Sequence, residues 1–477
     1  MVNKKQNSIA IPRISFSLVF ILSLTILQPC IACYPSDLTA PKVFAGCLTS
    51  EIRGWNNSSS DCCTWTGVTC DNSTSVSQRI VKLELESQKL TGRICKSLAG
   101  LDQLRIMNLS NNLLQGPLPS SLLHFENLEI LDLSHNYFIG SLPVSVHLPS
   151  LTHFDISNNY FSGALNASLC DISSNIQVLN LANNHFLGDA STCLQNCTSL
   201  RYVYLNGNSL SGAFPENLFQ IQNLQQLYLQ DNQFSGPLNH RISNLSNLVG
   251  LDISSNMFSG TLPDVFGSLR KLENFSASLN NFTGLFPAPL VNSPSLIKLS
   301  LCSNLLYGQI NFNRSAMVHL TTLDLAGNNF TGPVPDSLSS CWSLTALNLG
   351  RNKLHGGIPY SFKNLQALKY LSLSKNNISN ISNALQVLQH CKNLTMLMLS
   401  KNFYEEEMPA NVNLQFKSLK ALIVPSCYLK GSFPLWLRGC TMLQLVDLSR
   451  NSLSHSIPSW VGKFRYLLPG FVRKFLY

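Results

Sequence analysis

Residues 320–335 read LTTLDLAGNNFTGPVP, and twenty-four residues further on residues 344–359 read LTALNLGRNKLHGGIP. Both segments follow the pattern Leu-x-x-Leu-x-Leu-x-x-Asn. The final Asn recurs every 23 to 26 residues as far as Asn402, and once more at Asn451. These positions are Asn112, Asn136, Asn159, Asn184, Asn208, Asn232, Asn256, Asn280, Asn304, Asn328, Asn352, Asn376, Asn402 and Asn451. A fixed period of this length indicates a stacked repeat architecture.

Two degenerate copies complete the series. Gln88 takes the Asn position in IVKLELESQ, and Cys427 takes it in LKALIVPSC. The chain therefore contains sixteen copies of a leucine-rich repeat, over residues 80–460. One repeat cannot bury its own leucines, so the copies must stack into a solenoid with a continuous core.

The repeat also predicts its own local structure. The alternation x-Leu-x-Leu-x is the period of a short strand, with the leucines turned inward. Sixteen such strands predict one parallel sheet on the concave face of an α/β-type solenoid. We expect the Asn amides to form a ladder that satisfies backbone groups where each strand ends. The following Gly-x-x-Pro block predicts a bend and is typical of the plant class of leucine-rich repeat.

The N-terminus has the features of a secretory signal peptide over residues 1–32. Lys4, Lys5 and Arg13 precede an apolar run at residues 14–27, and small residues follow up to Ala32. A retained membrane anchor is the alternative, but about 14 apolar residues are too few to span a bilayer. We therefore expect a secreted chain whose 15 cysteines meet an oxidising compartment.

A cysteine-rich segment precedes the repeats. The sequence DCCTWTGVTC at residues 61–70 lies within a predicted N-terminal cap at residues 33–79, which would cover the exposed leucines of the first repeat. We expect Cys63 to pair with Cys70, and Cys62 to pair with Cys33 or Cys47. A metal site is the alternative, but no histidines have the spacing of zinc ligands.

Asparagine-linked glycosylation is a further consequence of secretion. The chain contains fourteen Asn-x-Ser/Thr motifs. A glycan on Asn108 would obstruct a predicted strand, so that motif is expected to stay bare. The candidates for modification include Asn57, Asn72, Asn166, Asn281, Asn329 and Asn380.

Residues 461–477 depart from the repeat. The next strand would place Leu near position 470, where the chain has Gly470, and no cysteine pair follows. This pattern predicts a divergent, truncated C-terminus with an uncapped last repeat.

The net charge by itself excludes few classes of binding partner. The formal charge of +9 favours anionic partners, but the basic residues are dispersed and no nucleic-acid-binding signature occurs. Neither a nucleophilic triad nor a phosphate-binding loop is present, so we predict neither catalysis nor a cofactor.

Several irregular segments give the chain a more specific resemblance. They are DCCTWTGVTC, RISNLSNLVGLDISSNMFSG, LPDVFGSL, SKNNISNISNALQVLQHCKNLTMLMLSKNF and FKSLKALIVPSCYLKGSFPLWL. With them, residues 33–460 resemble the extracellular part of the phytosulfokine receptors, which are plant leucine-rich-repeat receptor kinases. The family's non-repeat island, transmembrane helix and kinase have no counterpart in this sequence.

The resemblance implies a ligand and a set of contacts. Family members bind a short tyrosine-sulfated peptide on the concave face, and the matching positions here are Asn348, Ser372, Ser374, Ser400 and Asp447, with both Ser372 and Ser374 expected to be exposed. Cys302 replaces an arginine of the family that suits an anionic group, which weakens the case for sulfate recognition. The resemblance also implies a co-receptor kinase of the somatic-embryogenesis type as a partner.

In four late repeats, the residue immediately before the recurrent Asn is basic. Arg351, Lys375, Lys401 and Arg450 form a predicted basic column, whereas early repeats carry mostly neutral residues there. Aligned charges on a rigid face can hold an acidic ligand. The alternative interpretation is ordinary solubilising charge.

Two classes of function remain open. The first is the ligand-binding part of a peptide-hormone receptor, which lies in the apoplast for this chain and at the plasma membrane for a full-length parent. The second is a secreted protein-binding module similar to the polygalacturonase inhibitors, although those have fewer repeats and a closed C-terminal cap.

Overall fold

The computed structural model describes residues 33–55, 61–71, 78–143, 146–165, 173–190, 194, 197–291, 293–311, 317–410, 413–454, 457–463 and 472–473. The predicted signal peptide, Asn57, Asn72, Asn166 and Gly470 lie outside these residues. The described part forms a solenoid with two long sheets, and its strands are numbered along the chain.

The larger sheet carries the strand of every repeat. Eighteen strands belong to it among the described residues. They are β1 (Val68–Asp71), β2 (Arg79–Glu84), β4 (Ile106–Asn108), β6 (Ile130–Asp132), β8 (His153–Asp155), β10 (Val178–Asn180), β12 (Tyr202–Tyr204), β14 (Gln226–Tyr228), β16 (Gly250–Asp252), β18 (Asn274–Ser276), β20 (Lys298–Ser300), β22 (Thr322–Asp324), β24 (Ala346–Asn348), β26 (Tyr370–Ser372), β28 (Met396–Met398), β29 (Ala421–Ile423), β30 (Leu445–Asp447) and β31 (Val472–Arg473). We call its solvent-facing side the concave face.

All neighbouring pairs in this sheet are parallel except β1 with β2. The leucines in and after each strand are fully buried, as Leu323 and Leu325 illustrate. The predicted solenoid with a parallel sheet is therefore confirmed. A two-residue strand, β31, also pairs with β30 where the sequence predicted a break in the repeat.

The Asn ladder is confirmed as well. The Nδ2 atom of Asn352 donates to the carbonyl oxygens of Leu349, 3.1 Å away in its own repeat, and Leu325, 3.0 Å away in the preceding one. Its Oδ1 atom accepts from the N–H of Phe330 at 3.1 Å. Each such side chain satisfies buried backbone groups of two adjacent repeats, which explains the recurrence of an amide at this position.

The segment after each Asn differs from the prediction. The sequence predicted only a bend there, but these residues form a second sheet, which we call the lateral sheet. Its thirteen strands in the described chain are β3 (Thr91–Gly92), β5 (Leu113–Pro117), β7 (Tyr137–Gly140), β9 (Tyr160–Ala164), β11 (His185–Asp189), β13 (Ser209–Gly212), β15 (Gln233–Pro237), β17 (Met257–Thr261), β19 (Asn281–Leu285), β21 (Leu305–Gln309), β23 (Asn329–Pro333), β25 (Lys353–Gly356) and β27 (Asn377–Ile378). Inward phenylalanines of this sheet stack on one another, with 6.2 Å between the ring centroids of Phe234 and Phe258.

Short helical segments connect the two sheets on the convex side. The α-helices are α1 (Pro35–Cys47) in the cap, α2 (Ala288–Val291) and α3 (Ile381–Leu388). The 3-10 helices are Cys62–Thr64 in the cap and, among the repeats, Lys96–Gly100, Ser120–Leu123, Glu216–Gln220, His240–Asn244, Phe266–Ser268, Asp336–Ser340, Tyr360–Asn364, Leu435–Gly439 and Ser459–Lys463. No helix in the described ranges is long and apolar enough to cross a bilayer.

Three disulfides staple the cap. Cys33 pairs with Cys62 and Cys63 pairs with Cys70. The four sulfur atoms lie within 4.8 Å of one another, but both pairs are oxidised and leave no thiolate for a metal. The third bond joins Cys47 at the end of α1 to Cys95 in the first repeat, a pairing that the sequence analysis did not include.

A buried carboxylate also anchors the cap. Asp37 in α1 is fully buried and accepts from the N–H of Ile80 at 2.7 Å, at the start of the first repeat. Its second interaction is an ion pair with Arg79, with 3.1 Å between Nε and Oδ2. The cap and the first repeat are thus joined by a covalent bond and by charge-assisted hydrogen bonds.

Candidate ligand-binding face

The late part of the concave face brings the predicted contact residues into register. Asn348 of β24 lies opposite Ser372 of β26, which in turn lies opposite Met398 of β28. Adjacent parallel strands are about 4.8 Å apart, so these side chains belong to consecutive steps of one surface. Asp447 lies further along it, opposite Ile423.

Asn348 is held by its neighbours. Its Nδ2 donates to Oδ2 of Asp324 at 3.2 Å, and its Oδ1 accepts from the N–H of Gly350 at 3.2 Å. Burial raises the pKa of Asp324 above its ordinary value. The amide of Asn348 is therefore oriented by a carboxylate that the sequence analysis did not select.

The prediction that Ser372 is exposed is wrong. Its exposed fraction is 5%, because the serine lies between the longer side chains of Asn348 and Met398. Ser374 and Ser400 are both half-buried, and Oγ of Ser374 accepts from the N–H of Ser400 at 3.1 Å. Ser374 and Ser400 thus remain accessible from the concave face, whereas Ser372 forms part of its floor.

Asp447 presents one carboxylate oxygen. Its Oδ1 accepts from the N–H of Ser449 at 3.0 Å and from the hydroxyl at 2.6 Å. These bonds fix the orientation of the half-buried carboxyl group. The other oxygen, Oδ2, accepts no hydrogen bond from the residues that the structure describes.

The four cations of the basic column are all exposed. Arg351, Lys375 and Lys401 lie on successive repeats, and Arg450 lies two repeats further on. Each has a backbone φ between +53° and +59°, at the turn where a strand of the larger sheet leads into the ladder Asn. None of them forms an ion pair within the described chain. The column therefore offers aligned positive charge to a ligand.

A small cavity of about 240 Å³ lies further toward the N-terminus on the same face. Tyr228, Asp252, Lys298 and the short Ser276 and Ser300 are among the residues that line it. The sequence analysis missed this cavity, although small outward residues on two successive strands were a readable signal for it. Cys302 follows β20 at this point and is half-buried.

Family models match the repeats and the cap. The model "Leucine rich repeat" matches residues 174–234 and 343–403, and a second repeat model matches six further segments between residues 103 and 464. The model "Leucine rich repeat N-terminal domain" matches residues 44–71. The chain belongs to the leucine-rich-repeat family. These models describe a scaffold rather than a catalytic domain, in agreement with the prediction that the chain is not an enzyme.

Within the leucine-rich-repeat family, the chain is 56% identical over 421 residues to phytosulfokine receptor 1 from Arabidopsis thaliana. The aligned part covers 88% of this chain and 42% of the receptor. The predicted resemblance to the phytosulfokine receptors is confirmed. The chain thus spans less than half the length of this relative.

Solved leucine-rich-repeat ectodomains share the fold. The GASSHO1/SCHENGEN3 ectodomain from Arabidopsis thaliana, in complex with CASPARIAN STRIP INTEGRITY FACTOR 2, is 27% identical with a TM-score of 0.68, over 92% of this chain and 62% of that one. The Arabidopsis receptor kinase HAESA, in complex with the peptide hormone IDA and the co-receptor SERK1, is 26% identical with a TM-score of 0.53, over 91% and 89%.

Proposed function

We propose that this chain is the extracellular ligand-binding part of a phytosulfokine-receptor-like protein, and that it binds a short acidic peptide, such as a tyrosine-sulfated one, on the late concave face. The observation that carries the proposal is the column of exposed cations, which form no ion pair with described residues, on the same face as the polar groups Asn348, Ser374 and Asp447. A parallel sheet with side chains at regular intervals suits an extended peptide.

The charge distribution favours an acidic ligand over a basic one. Arg351, Lys375 and Lys401 occupy one edge of the concave face on three successive repeats, where each charge reinforces the next. Asp447 and Ser400 supply acceptors and donors for a peptide backbone. The alternative interpretation as solubilising charge predicts no dependence of binding on these residues.

The resembled family has an arginine at the position of Cys302. Sulfate recognition by this chain therefore needs positive charge from another residue. Lys298 is exposed on the strand that precedes Cys302, and it lines the cavity with Tyr228. We propose that Lys298 provides positive charge for the ligand at this part of the concave face. The carboxylate of Asp252 lines the same cavity and opposes this contribution.

The proposed setting is extracellular. The predicted signal peptide and the cap disulfides agree with passage through an oxidising compartment. A co-receptor kinase of the somatic-embryogenesis type is the proposed partner, supported by the HAESA structure that contains SERK1. A parent receptor would lie at the plasma membrane.

Calorimetric titration of the secreted protein with sulfated and unsulfated phytosulfokine tests the proposal, with Asp447→Ala as the variant. We expect the sulfated peptide to bind more tightly than the unsulfated one, and the variant to lose affinity for both. A folded protein that gives no heat of binding with either peptide would refute the proposal. Equal affinity for both peptides would refute only the sulfate preference.

A further inference from the structure

Three glycosylation motifs occupy one structural position in the lateral sheet. Asn281, Asn329 and Asn377 are the first residues of β19, β23 and β27, so they recur on every second strand. Each is followed two residues later by Thr or Ser, which completes the motif. Asn377 was not among the candidates that the sequence analysis named.

The amides of these three residues are free of hydrogen bonds to other described residues, in contrast to other motifs. The Nδ2 of Asn108 donates to Oε2 of Glu86 at 2.6 Å, and that of Asn393 donates to the carbonyl oxygen of Gln366 at 2.8 Å. A sugar at either of these positions would replace a donor that the fold uses. A sugar on Asn281, Asn329 or Asn377 would displace no side-chain hydrogen bond to a described residue.

The residue opposite each motif differs. Asn281 lies opposite Ser259, and Asn377 lies opposite His355. Asn329 lies opposite Tyr307, whose other neighbour in register is Leu285. Leu285, Tyr307 and Asn329 therefore form one row across three adjacent strands. Of the three motifs, this is the one that lies opposite a tyrosine.

Leu285 and Tyr307 in this row expose apolar surface that does not pack into the core of the solenoid. Leu285 is 65% exposed and Tyr307 is 50% exposed, while the core lies on the opposite side of the sheet. A Cβ atom on Gly308 would lie 2.6 Å from Cδ2 of Leu285, so the leucine side chain lies across β21 beside the tyrosine. The two side chains together form a small exposed apolar patch beside Asn329.

We propose that an N-linked glycan on Asn329 packs its first sugars onto the ring of Tyr307 and onto Leu285. A sugar ring has an apolar C–H face and polar edges, so it can cover an aromatic ring while its hydroxyl groups stay in water. The neighbouring strand is only about 4.8 Å away, within reach of the first sugar. The fold thus uses its own modification to cover an apolar patch.

The covalent step is ordinary amide glycosylation, and it rests on the expected passage through the secretory pathway. The Nδ2 atom of Asn329 forms a bond to the anomeric carbon of an oligosaccharide carried on a lipid diphosphate. The bond from that carbon to the diphosphate breaks, the lipid diphosphate leaves, and the amide gives up one proton.

Hydroxyl-radical labelling of the secreted protein, read by mass spectrometry, tests the packing directly. In Asn329→Gln we expect labelling of Tyr307 to rise by about threefold, because the ring regains its solvent exposure. Tyr137 is an internal control, since it is 47% exposed in the same sheet and adjoins none of the three motifs. Its labelling should not change.

Two matched variants and one mass measurement complete the test. Asn281→Gln and Asn377→Gln remove a glycan at the equivalent position and should leave the labelling of Tyr307 unchanged. An unmodified Asn329 in secreted protein overturns the proposal, and so does equal labelling of Tyr307 with and without the glycan. Peptide binding to the concave face should be the same in Asn329→Gln, so the two proposals fail separately.

Discussion

The Sγ atom of Cys427 lies 3.6 Å from the carbonyl oxygen of Leu399 and takes the place of a ladder amide. In the preceding repeat, the Nδ2 of Asn402 donates to the carbonyl oxygen of Leu373 at 2.9 Å. A thiol is a much weaker donor than an amide. Cys427 therefore occupies the ladder position of this repeat, but its hydrogen bond to the backbone is weaker than that of an asparagine amide.

Replacing this cysteine should strengthen the fold. We expect Cys427→Asn to raise the free energy of unfolding by about 1 kcal/mol, since it restores a buried hydrogen bond of ordinary strength. Cys427→Ala should lower it, because it removes the thiol donor and leaves the carbonyl oxygen of Leu399 with Nδ2 of Asn402, at 3.2 Å, as its side-chain donor. Burial raises the pKa of Cys427 to about 11, so the thiol keeps its proton at neutral pH, where urea unfolding would be measured. An Asn variant less stable than the Ala variant would contradict this account.

The carboxyl group of Asp324 should make stability depend on pH. Burial raises its pKa in the folded state, so the folded chain binds the proton more readily than the unfolded chain. The stability that this group contributes is complete below the unfolded pKa of about 3.9 and is lost as the pH rises through the folded value. We therefore expect Asp324→Asn to be more stable than the parent at pH 7 and no more stable at pH 3, by thermal unfolding. The exposed Asp264→Asn is the matched control, and a benefit that grows toward acid pH would refute the assignment.

The Cys47–Cys95 disulfide, which joins the cap to the first repeat, should stabilise the fold more than the Cys63–Cys70 disulfide within the cap. Cys47 and Cys95 are 48 residues apart, whereas Cys63 and Cys70 are 7 apart. In the chain-entropy treatment, the longer loop corresponds to about 4 kcal/mol and the shorter one to about 2 kcal/mol. Urea unfolding of the double variants Cys47→Ser/Cys95→Ser and Cys63→Ser/Cys70→Ser checks the order. Equal losses, or the reverse order, would contradict the prediction.

Neutralising the basic column should weaken the binding of an acidic peptide. We expect Lys375→Asn/Lys401→Asn to reduce affinity by about threefold to thirtyfold, which corresponds to two partly exposed ion pairs of up to about 1 kcal/mol each. Asparagine removes the charge while tolerating the left-handed backbone of these positions. Lys417→Asn on another surface is the control. Peptide titrations of parent and variant at two salt concentrations check this prediction. The same affinity for both proteins would show that the basic column only increases solubility.

The regular features of the fold could be predicted from the sequence because the same residue pattern recurs in sixteen repeats. Leu323 and Asn352 have the environments that their places in the repeat predict. The lateral sheet escaped prediction because segments such as NFTGP contain a Gly and a Pro, which indicate turns. Its strands of at most five residues are stabilised by pairing with the next repeat, and that is a tertiary effect.

The details of the site depend on neighbours that are distant in sequence. The burial of Ser372 results from Asn348 and Met398, each more than 20 residues away. The orientation of Asn348 by Asp324 has the same origin. The bond between Cys47 and Cys95 could not be inferred from spacing, since the sequence does not show that the end of α1 packs against the first repeat. Charge columns were predictable because they recur in register with the repeat.

The left-handed backbone beneath the basic column has an evolutionary consequence. Glycine and asparagine suit such a turn, as Gly207 and Asn158 show in earlier repeats, whereas a side chain such as that of Lys375 costs about 1 kcal/mol there. Selection for stability alone would favour the smaller residues at all four positions. Optimising this protein toward an averaged repeat would therefore produce a sturdier scaffold and erase the feature most suited to holding a ligand.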